Sequence, residues 1–573
     1  MEPTSWKHDL SGLYSFFSDE EVARLESARR QVDASTATIV YSVYENPFAK
    51  SGGIFAVADF YLQALLKAGR DVLLLSPYHS RLVTVPCESD VTKLADCSVQ
   101  FDGRSVATEV FEHRRNGARW ILVKADGFFE AQHGSSPTDP YVHADDHRLL
   151  IDSLFFSQAI PQVLAALHLT QNILLHVQDW ELAATALTVK CALLDETLES
   201  AALVLTSHNP YDHELLISDL HSLTQRGEFD GQDPPSVYQQ MIPLFDAPVT
   251  TVSTTFAAEL TSDPLQTEHF TNHLQHIFHQ QGLVGVNNGL FGQLKAPFSD
   301  EAYKQLSAKD SQLILREKLA KRTAMLELLA VYQDERILGT LDGGQEKPLA
   351  ELPDDIPVYL MFGRMDPGQK GFDVLLRAIE QMPRGSAKFI LTPIVTDFSD
   401  QFYADMCRVA QECAGDVAIY PFRMQQGYME AMAGATFAVM PSLYEPFGGA
   451  TEPYLSGTPV IARATGGLVQ QIVDVRQDQK NGTGLLFRET TGPAAGEWRQ
   501  IQTTHNPQER MAFPCYQSMV NELVSTLTHA SEVYRNDSHQ YASMLANLHV
   551  QAQEFSWEKT IAEYQAVYEL ATS

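Results

Sequence analysis

The chain has 573 residues, 44% of them hydrophobic and 10% aromatic, which is more than one ordinary core holds and fits a globular protein of two domains. A formal net charge of −31 repels phosphate backbones and anionic lipid, and argues against nucleic-acid and membrane partners. The six cysteines (Cys87, Cys97, Cys191, Cys407, Cys413 and Cys515) lack metal-ligand spacing, no uninterrupted apolar run of about 18 residues occurs, and the first ten residues have no secretory apolar core, so a cytoplasmic protein with reduced thiols is expected.

Along the chain, strands are expected near 38–43, 72–75, 121–123, 173–176, 203–206 and 249–252, with a helix over 57–68 closed by Gly69. In that helix Asp59 is expected on a solvated face. A charged helical stretch follows over 302–338, then a segment rich in Gly, Pro and acids over 339–357. A second strand series lies near 358–362, 389–392, 417–420, 437–440 and 459–461. Strands alternating with helices imply two parallel, doubly wound sheets. The expected division is 1–295 as an N-terminal Rossmann-like domain with an extension, 296–357 as a helical and Gly/Pro linker, 358–550 as a C-terminal Rossmann-like domain, and 551–573 as a helix packing back on the first domain. The prefix before Thr38 and the segment 490–514 read as additions.

The densest motif is Met440 to Leu468, MPSLYEPFGGATEPYLSGTPVIARATGGL. An apolar strand ends in Pro441 and Ser442. Glu445 then stands on a loop stiffened by Pro446 and opened by Gly448 and Gly449, and a second strand leads to Thr465-Gly466-Gly467. A carboxylate at a strand end accepts hydrogen bonds from sugar hydroxyls, and glycine backbone at a helix start approaches phosphate oxygens. Lys50, Arg364, Lys370 and Arg463 all stand beside glycine turns at expected strand ends. In so acidic a chain they read together as a diphosphate site.

The Met440–Leu468 segment resembles the donor-sugar loop of the glycogen and starch synthases, retaining nucleotide-sugar glucosyltransferases. Lys50-Ser-Gly-Gly-Ile, His176-Val-Gln-Asp-Trp, Thr206-Ser-His-Asn, Val252-Ser253, Asn287-Asn-Gly, Gly363-Arg-Met-Asp-Pro-Gly-Gln-Lys-Gly and Phe555-Ser-Trp-Glu match further motifs of that family, in its order. The resemblance implies an α/β fold of GT-B type, two doubly wound Rossmann-like domains facing across a cleft. It also implies transfer of glucose from a nucleotide diphosphate sugar to the non-reducing end of an α-1,4-glucan. A related enzyme with a small sugar or polyol acceptor, or a non-catalytic glucan-binding relative, are the alternatives. No cofactor and no metal is expected, and no Asp-x-Asp stands at a strand end. The oligomeric state is left open.

By the same resemblance Glu445 contacts the donor sugar and Arg364 and Lys370 clamp the departing diphosphate. His208 lies beside the anomeric centre with its backbone carbonyl towards the developing cation. Lys50, Gly52, Gly53, Thr465, Gly466 and Gly467 belong to the phosphates, Tyr428 to the base and Glu452 to the ribose, while Asp179, Trp180 and Asn209 shape the acceptor side. Ala56 stands where ADP-glucose enzymes of the family carry Asp. Arg364 and Lys370 are six apart and Tyr428 precedes Glu445 by seventeen, as in the UDP-glucose enzymes. The residues around His208 and Thr465 are instead of the ADP-glucose type, and Glu452 follows Glu445 by seven where the family pattern has eight. The expected donor is UDP-glucose, with ADP-glucose the alternative.

Overall fold

The computed structural model describes residues 6, 8–132, 137–143, 145–224, 235–342 and 349–573. Residues 1–5 of the expected first domain and 343–348 of the expected linker lie outside it. The chain forms two compact units, one running up to Gly289 and taking in Trp557–Ser573, the other spanning Leu290–Ser556.

In the first unit the strands are β1 (Thr38–Ser42), β2 (Val72–Pro77), β3 (Thr92–Phe101), β4 (Arg104–Arg115), β5 (Ala118–Ala125), β6 (Ile173–Gln178), β7 (Ala201–Ser207), β8 (Val249–Thr251) and β9 (Leu283–Gly285). They form one sheet in the order β3-β4-β5-β2-β1-β6-β7-β8-β9. Pairing is parallel from β5 to β9, as strand and helix alternation requires, and antiparallel in β3-β4-β5. The sheet is therefore mixed rather than wholly parallel. Two tight turns account for the difference: Asp102-Gly103 and Asn116-Gly117 all have positive φ, the backbone that a two-residue hairpin turn demands. β1, β2, β6 and β7 are buried almost throughout, as a sheet covered on both faces must be. The helix Asp146–Ala166 is long and apolar enough to cross a membrane over His147–Ala166, but 67% of that stretch is buried inside the structure, where Phe155 stacks on Phe128.

The second unit contains β10 (Leu338–Thr340), β11 (Val358–Arg364), β12 (Lys388–Ile394), β13 (Val417–Ile419), β14 (Phe437–Met440), β15 (Val460–Arg463) and β16 (Gly484–Phe487), in the order β10-β13-β12-β11-β14-β15-β16. Only the β10–β13 pair is antiparallel among these. Much of the 296–357 stretch, expected as a linker, is core here. Met325, Leu326 and Leu329 of the helix Gln312–Val331 pack with Val358, Leu360 and Ile390 of the sheet. From the same helix the buried ammonium of Lys318 donates to the carbonyls of Ala433 and Gly457 and to Thr458 Oγ1. One charge of this helix thus satisfies carbonyls at helix ends that would otherwise be buried without partners.

The last helix, Trp557–Thr572, belongs to the first unit through specific contacts. Tyr568 Oη meets Tyr61 Oη at 2.8 Å and His176 Nδ1 at 3.0 Å, and Tyr564 Oη meets Thr206 Oγ1 at 3.1 Å. Gly289 packs on the Trp557 indole so closely that a Cβ would overlap the ring. Thr560 Oγ1 donates to the Asn287 carbonyl at 2.7 Å. Two motifs far apart in sequence are thus the two sides of one contact.

Candidate active site

Each sheet has one place where successive crossovers leave in opposite directions, which opens a crevice beyond the strand ends. In the second unit it lies between β11 and β14, and their C-terminal ends carry Arg364 and the Glu445 loop. Lys370 Nζ lies 2.9 and 2.7 Å from the two Glu445 carboxylate oxygens, and Ser442 Oγ donates to the second at 3.0 Å. Arg364 is exposed, and among the described residues its guanidinium reaches Gln369 Oε1 at 3.4 Å. Glu452 is near the same two charges. Burial raises its pKa, Lys370 opposes the shift and Glu445 adds to it. Tyr428 packs edge-to-face on Phe362 at 6.1 Å, and burial pushes its phenol upward.

The two loops are fixed to each other by backbone. Leu443 N–H donates to the Gln369 carbonyl at 2.7 Å, and Gly371, with φ +69°, lies so close to the Pro441 carbonyl that no side chain fits. The Thr465-Gly466-Gly467 turn acts in the same way. Gly467 N–H donates to the Glu445 carbonyl at 3.0 Å, and a Cβ on Gly466 or Gly467 would overlap the carbonyls of Glu445 or Phe447. Sequence reading expected these glycines to bare their N–H groups to phosphate; the Gly467 N–H is already committed to holding the carboxylate loop. Thr465 is buried beneath them.

Arg463 departs from expectation. It had been grouped with the phosphate cations, yet it is 1% exposed, its guanidinium forked on Glu489 at 2.8 and 2.6 Å, with a further bond of 2.5 Å to the Leu443 carbonyl and Trp498 against its face. It positions the Glu445 loop from behind. The segment 490–514 contributes likewise: Gln502 Nε2 donates to the Gly368 carbonyl, and Arg510 bonds the Pro367 carbonyl and Asp373. The stretch that read as an addition braces the loop bearing Arg364 and Lys370.

In the first unit the corresponding crevice lies between β1 and β6. The expected phosphate turn follows β1, with Gly53 at the start of the helix Ile54–Lys67. Glu45 occupies part of it, accepting from Gly52 N–H at 3.1 Å and from Phe55 N–H at 3.0 Å. Lys50 Nζ lies 4.7 Å over the Phe55 ring. Asp179 ends β6 in a left-handed conformation, φ +60°, which turns its carboxylate onto the His208 N–H at 2.5 Å. The same carboxylate accepts from the Asn209 backbone. His208 is buried, with Nε2 2.8 Å from Gln178 Oε1, and burial lowers its pKa to about 4, so the imidazole is neutral at pH 7. Trp180 is buried and stacks on His213.

Glu45, Asp179 and Glu181 form a buried acidic group that sequence reading did not single out. Burial raises all three, Asp179 to about 7; the Glu45 charge adds to the shift of Asp179, and the charges of Asp179 and Glu45 add to that of Glu181. Asp59, expected in solvent, is buried and paired with Arg115 at 3.4 Å.

The structure thus brings Glu445, Lys370, Arg364, Glu452 and Tyr428 together in one unit, and Lys50, Gly52, Gly53, Asp179, Trp180, His208 and Asn209 at the strand ends of the other. The sequence profile of the starch synthase catalytic domain matches residues 38–280, and that of a family 4 glycosyltransferase of conflict systems matches 335–563. The glycogen synthase of Bacillus subtilis is 24% identical over 550 residues, covering 93% of this chain and 98% of that one. That of Thermotoga maritima is 27% identical over 472 residues, covering 78% and 87%. The catalytic domain of Arabidopsis thaliana starch synthase IV, solved with ADP and acarbose, superposes with a TM-score of 0.67 at 20% identity over 94% of this chain and 99% of that one. With both Rossmann-like units, the ordered motifs and the paired Lys370–Glu445 site all in place, the chain is similar along most of its length to the glycogen synthases and is a glycosyltransferase of GT-B fold.

Proposed function

We propose that this protein transfers glucose, with retention at the anomeric carbon, from a nucleoside diphosphate glucose to the non-reducing end of an α-1,4-glucan. The observation that carries the reading is the Lys370–Glu445 pair beside an exposed Arg364, at the switch point of the second sheet. Without donor, the ammonium neutralises the carboxylate. A bound diphosphate competes for Lys370 and frees Glu445 to accept hydrogen bonds from glucose hydroxyls. As the anomeric C–O bond breaks, negative charge grows on the departing diphosphate. Arg364 forks onto two phosphate oxygens and Lys370 adds a compact charge, and both interactions strengthen in the transition state. Positive charge grows on the sugar at the same time.

The donor we propose is UDP-glucose, on the Arg364–Lys370 and Tyr428–Glu445 spacings. ADP-glucose is the competing donor, favoured by the residues around His208 and Thr465 and by the ADP bound in starch synthase IV. We place the protein in the cytoplasm, where its six free thiols stay reduced. Glycogen elongation from each donor at equal concentration tests both points. Elongation faster with UDP-glucose is expected. Faster elongation with ADP-glucose changes the base, and donor hydrolysis or transfer to small sugars without glucan elongation overturns the acceptor.

A further inference from the structure

A cavity of about 230 Å³ opens in the second unit, between the helix Gln312–Val331 and the junction of two late helices, Pro514–Asn536 and Ser538–Ala552. Asp354 and Thr436 line it just before β11 and β14 begin, so it lies at the end of the sheet opposite Arg364 and Glu445. It is smaller than the ~300–1,000 Å³ of sites for drug-sized ligands. A small ion with a few waters fits it; a nucleotide or a glucan does not.

Its floor holds positive charge that the fold leaves uncompensated. Lys318 is 4% exposed, and its three bonds all go to uncharged oxygens. Burial, and then the charge of Lys321, push its pKa well below the ordinary lysine value. Arg322 is 3% exposed; its terminal nitrogens reach Asp354 Oδ1 at 3.1 Å and the carbonyls of Pro353 and Ile356, while its Nε–H is buried without a partner. Buried charges are ordinarily paired, yet here the two acids of the lining, Asp354 and Asp355, are both exposed. At the rim Arg535 adds a third cation, bonded to the carbonyls of Asp355 and Ser386. Ser538 begins the 15-residue helix Ser538–Ala552, an end that attracts anions, and the Asp537 side chain caps the Gln540 N–H, one of the four such an end offers. Leu315, Leu319 and the Tyr534 ring close the sides with apolar surface, which strengthens every charge interaction inside.

We propose that this cavity binds a free tetrahedral oxyanion of the phosphate class, held by the Arg322 Nε–H and the first turn of the helix Ser538–Ala552, with the charges of Lys318 and Arg535 around it. The bound anion offsets the ammonium that ties Ala433 and Gly457, at the far ends of the helices Tyr428–Gly434 and Thr451–Ser456, which carry Tyr428 and Glu452 of the candidate active site. The site stands whether or not the protein elongates a glucan. The test is thermal melting in sodium phosphate against sodium chloride at equal ionic strength and pH. It compares the Arg364→Ala/Lys370→Ala double variant, which removes the phosphate clamp of the active site, with the same protein carrying Ser538→Glu. The added carboxylate repels an anion from the cavity while suiting the first turn of a helix. Phosphate should raise the melting temperature of the double variant saturably, by ~3–5 °C at ten times the dissociation constant, and Ser538→Glu should abolish the rise. No saturable rise, or an equal rise with Ser538→Glu, overturns the site. Wild-type crystals soaked in sodium selenate supply a measurement that needs no variant: anomalous selenium signal in the cavity is expected, and signal at the Arg364 and Lys370 loop alone overturns the proposal.

Discussion

Glu445 has no packing duty that another residue type could not meet: its partners are Lys370 and Ser442, and the loop's shape is held by backbone bonds from Gly467 and through Leu443. Glu445→Ala should therefore fold and lose transfer, and a melt beside an elongation assay checks it. Activity within about tenfold of wild type, a loss of only ~1.4 kcal/mol, would remove Glu445 from the mechanism. Arg364→Ala and Lys370→Ala should each lower turnover by two to three orders of magnitude, roughly 3–4 kcal/mol of transition-state electrostatics, and weaken nucleoside diphosphate binding. Calorimetric titration with UDP and ADP reads the binding term; unchanged affinity and rate in both variants would move the phosphate site elsewhere. Arg463 belongs to a different case. Residue type and a neighbouring glycine suggest a phosphate cation for Arg463 and Lys370 alike, and only burial separates the brace from the clamp.

At the scale of elements, the Arg463–Glu489 pair joins the end of β15 to the chain just beyond β16. Burial alone would raise the Glu489 pKa, but the Arg463 charge and its two bonds outweigh that and hold the carboxyl at about 2, against an ordinary value of 4.5. A carboxyl with a depressed folded-state pKa stabilises the fold above its unfolded value, and that contribution is lost as pH falls from about 4.5 towards 2. Glu489→Gln should thus melt well below wild type at pH 7, with the gap narrowing in acid. Melts at pH 7 and pH 3.5 check this, and a gap that is the same at both would sink it. The β3-β4-β5 meander was also within reach of the sequence, because Asp102-Gly103 and Asn116-Gly117 between alternating residues are strong hairpin signals. The fate of the stretch over 312–331 was not: a charged helix looks the same from sequence whether its Lys318 meets water or three buried oxygens.

On the scale of the molecule, the chain leaves the first unit after Gly289 and returns to it at Trp557. The returning helix supplies Tyr564 and Tyr568 to the aromatic cluster around His176, whose burial lowers its pKa to about 3. A fragment ending at Gly289 should therefore be unstable. Fusing residues 557–573 to it through a flexible linker should restore cooperative melting, since loop closure by a linker costs little beside several buried aromatic rings. Equal melting of the two fragments would show that the helix is dispensable.

By itself the sequence carried the resemblance to the glycogen and starch synthases, the two Rossmann-like units and the candidate site side chains. Those follow from local patterns: apolar strands between helices, and glycine, acid and base at strand ends, where parallel sheets put ligands. What only the tertiary structure decided was which charges are spent. The Gly467 N–H, the Gly52 N–H and the Arg463 guanidinium are consumed by Glu445, Glu45 and Glu489, and the acidic trio of Glu45, Asp179 and Glu181 exists only once the ends of β1 and β6 lie side by side. The reason is range. Hydrophobic periodicity and turn chemistry act over a few residues, whereas burial and the pairing of charges depend on neighbours that the fold brings from anywhere along the chain.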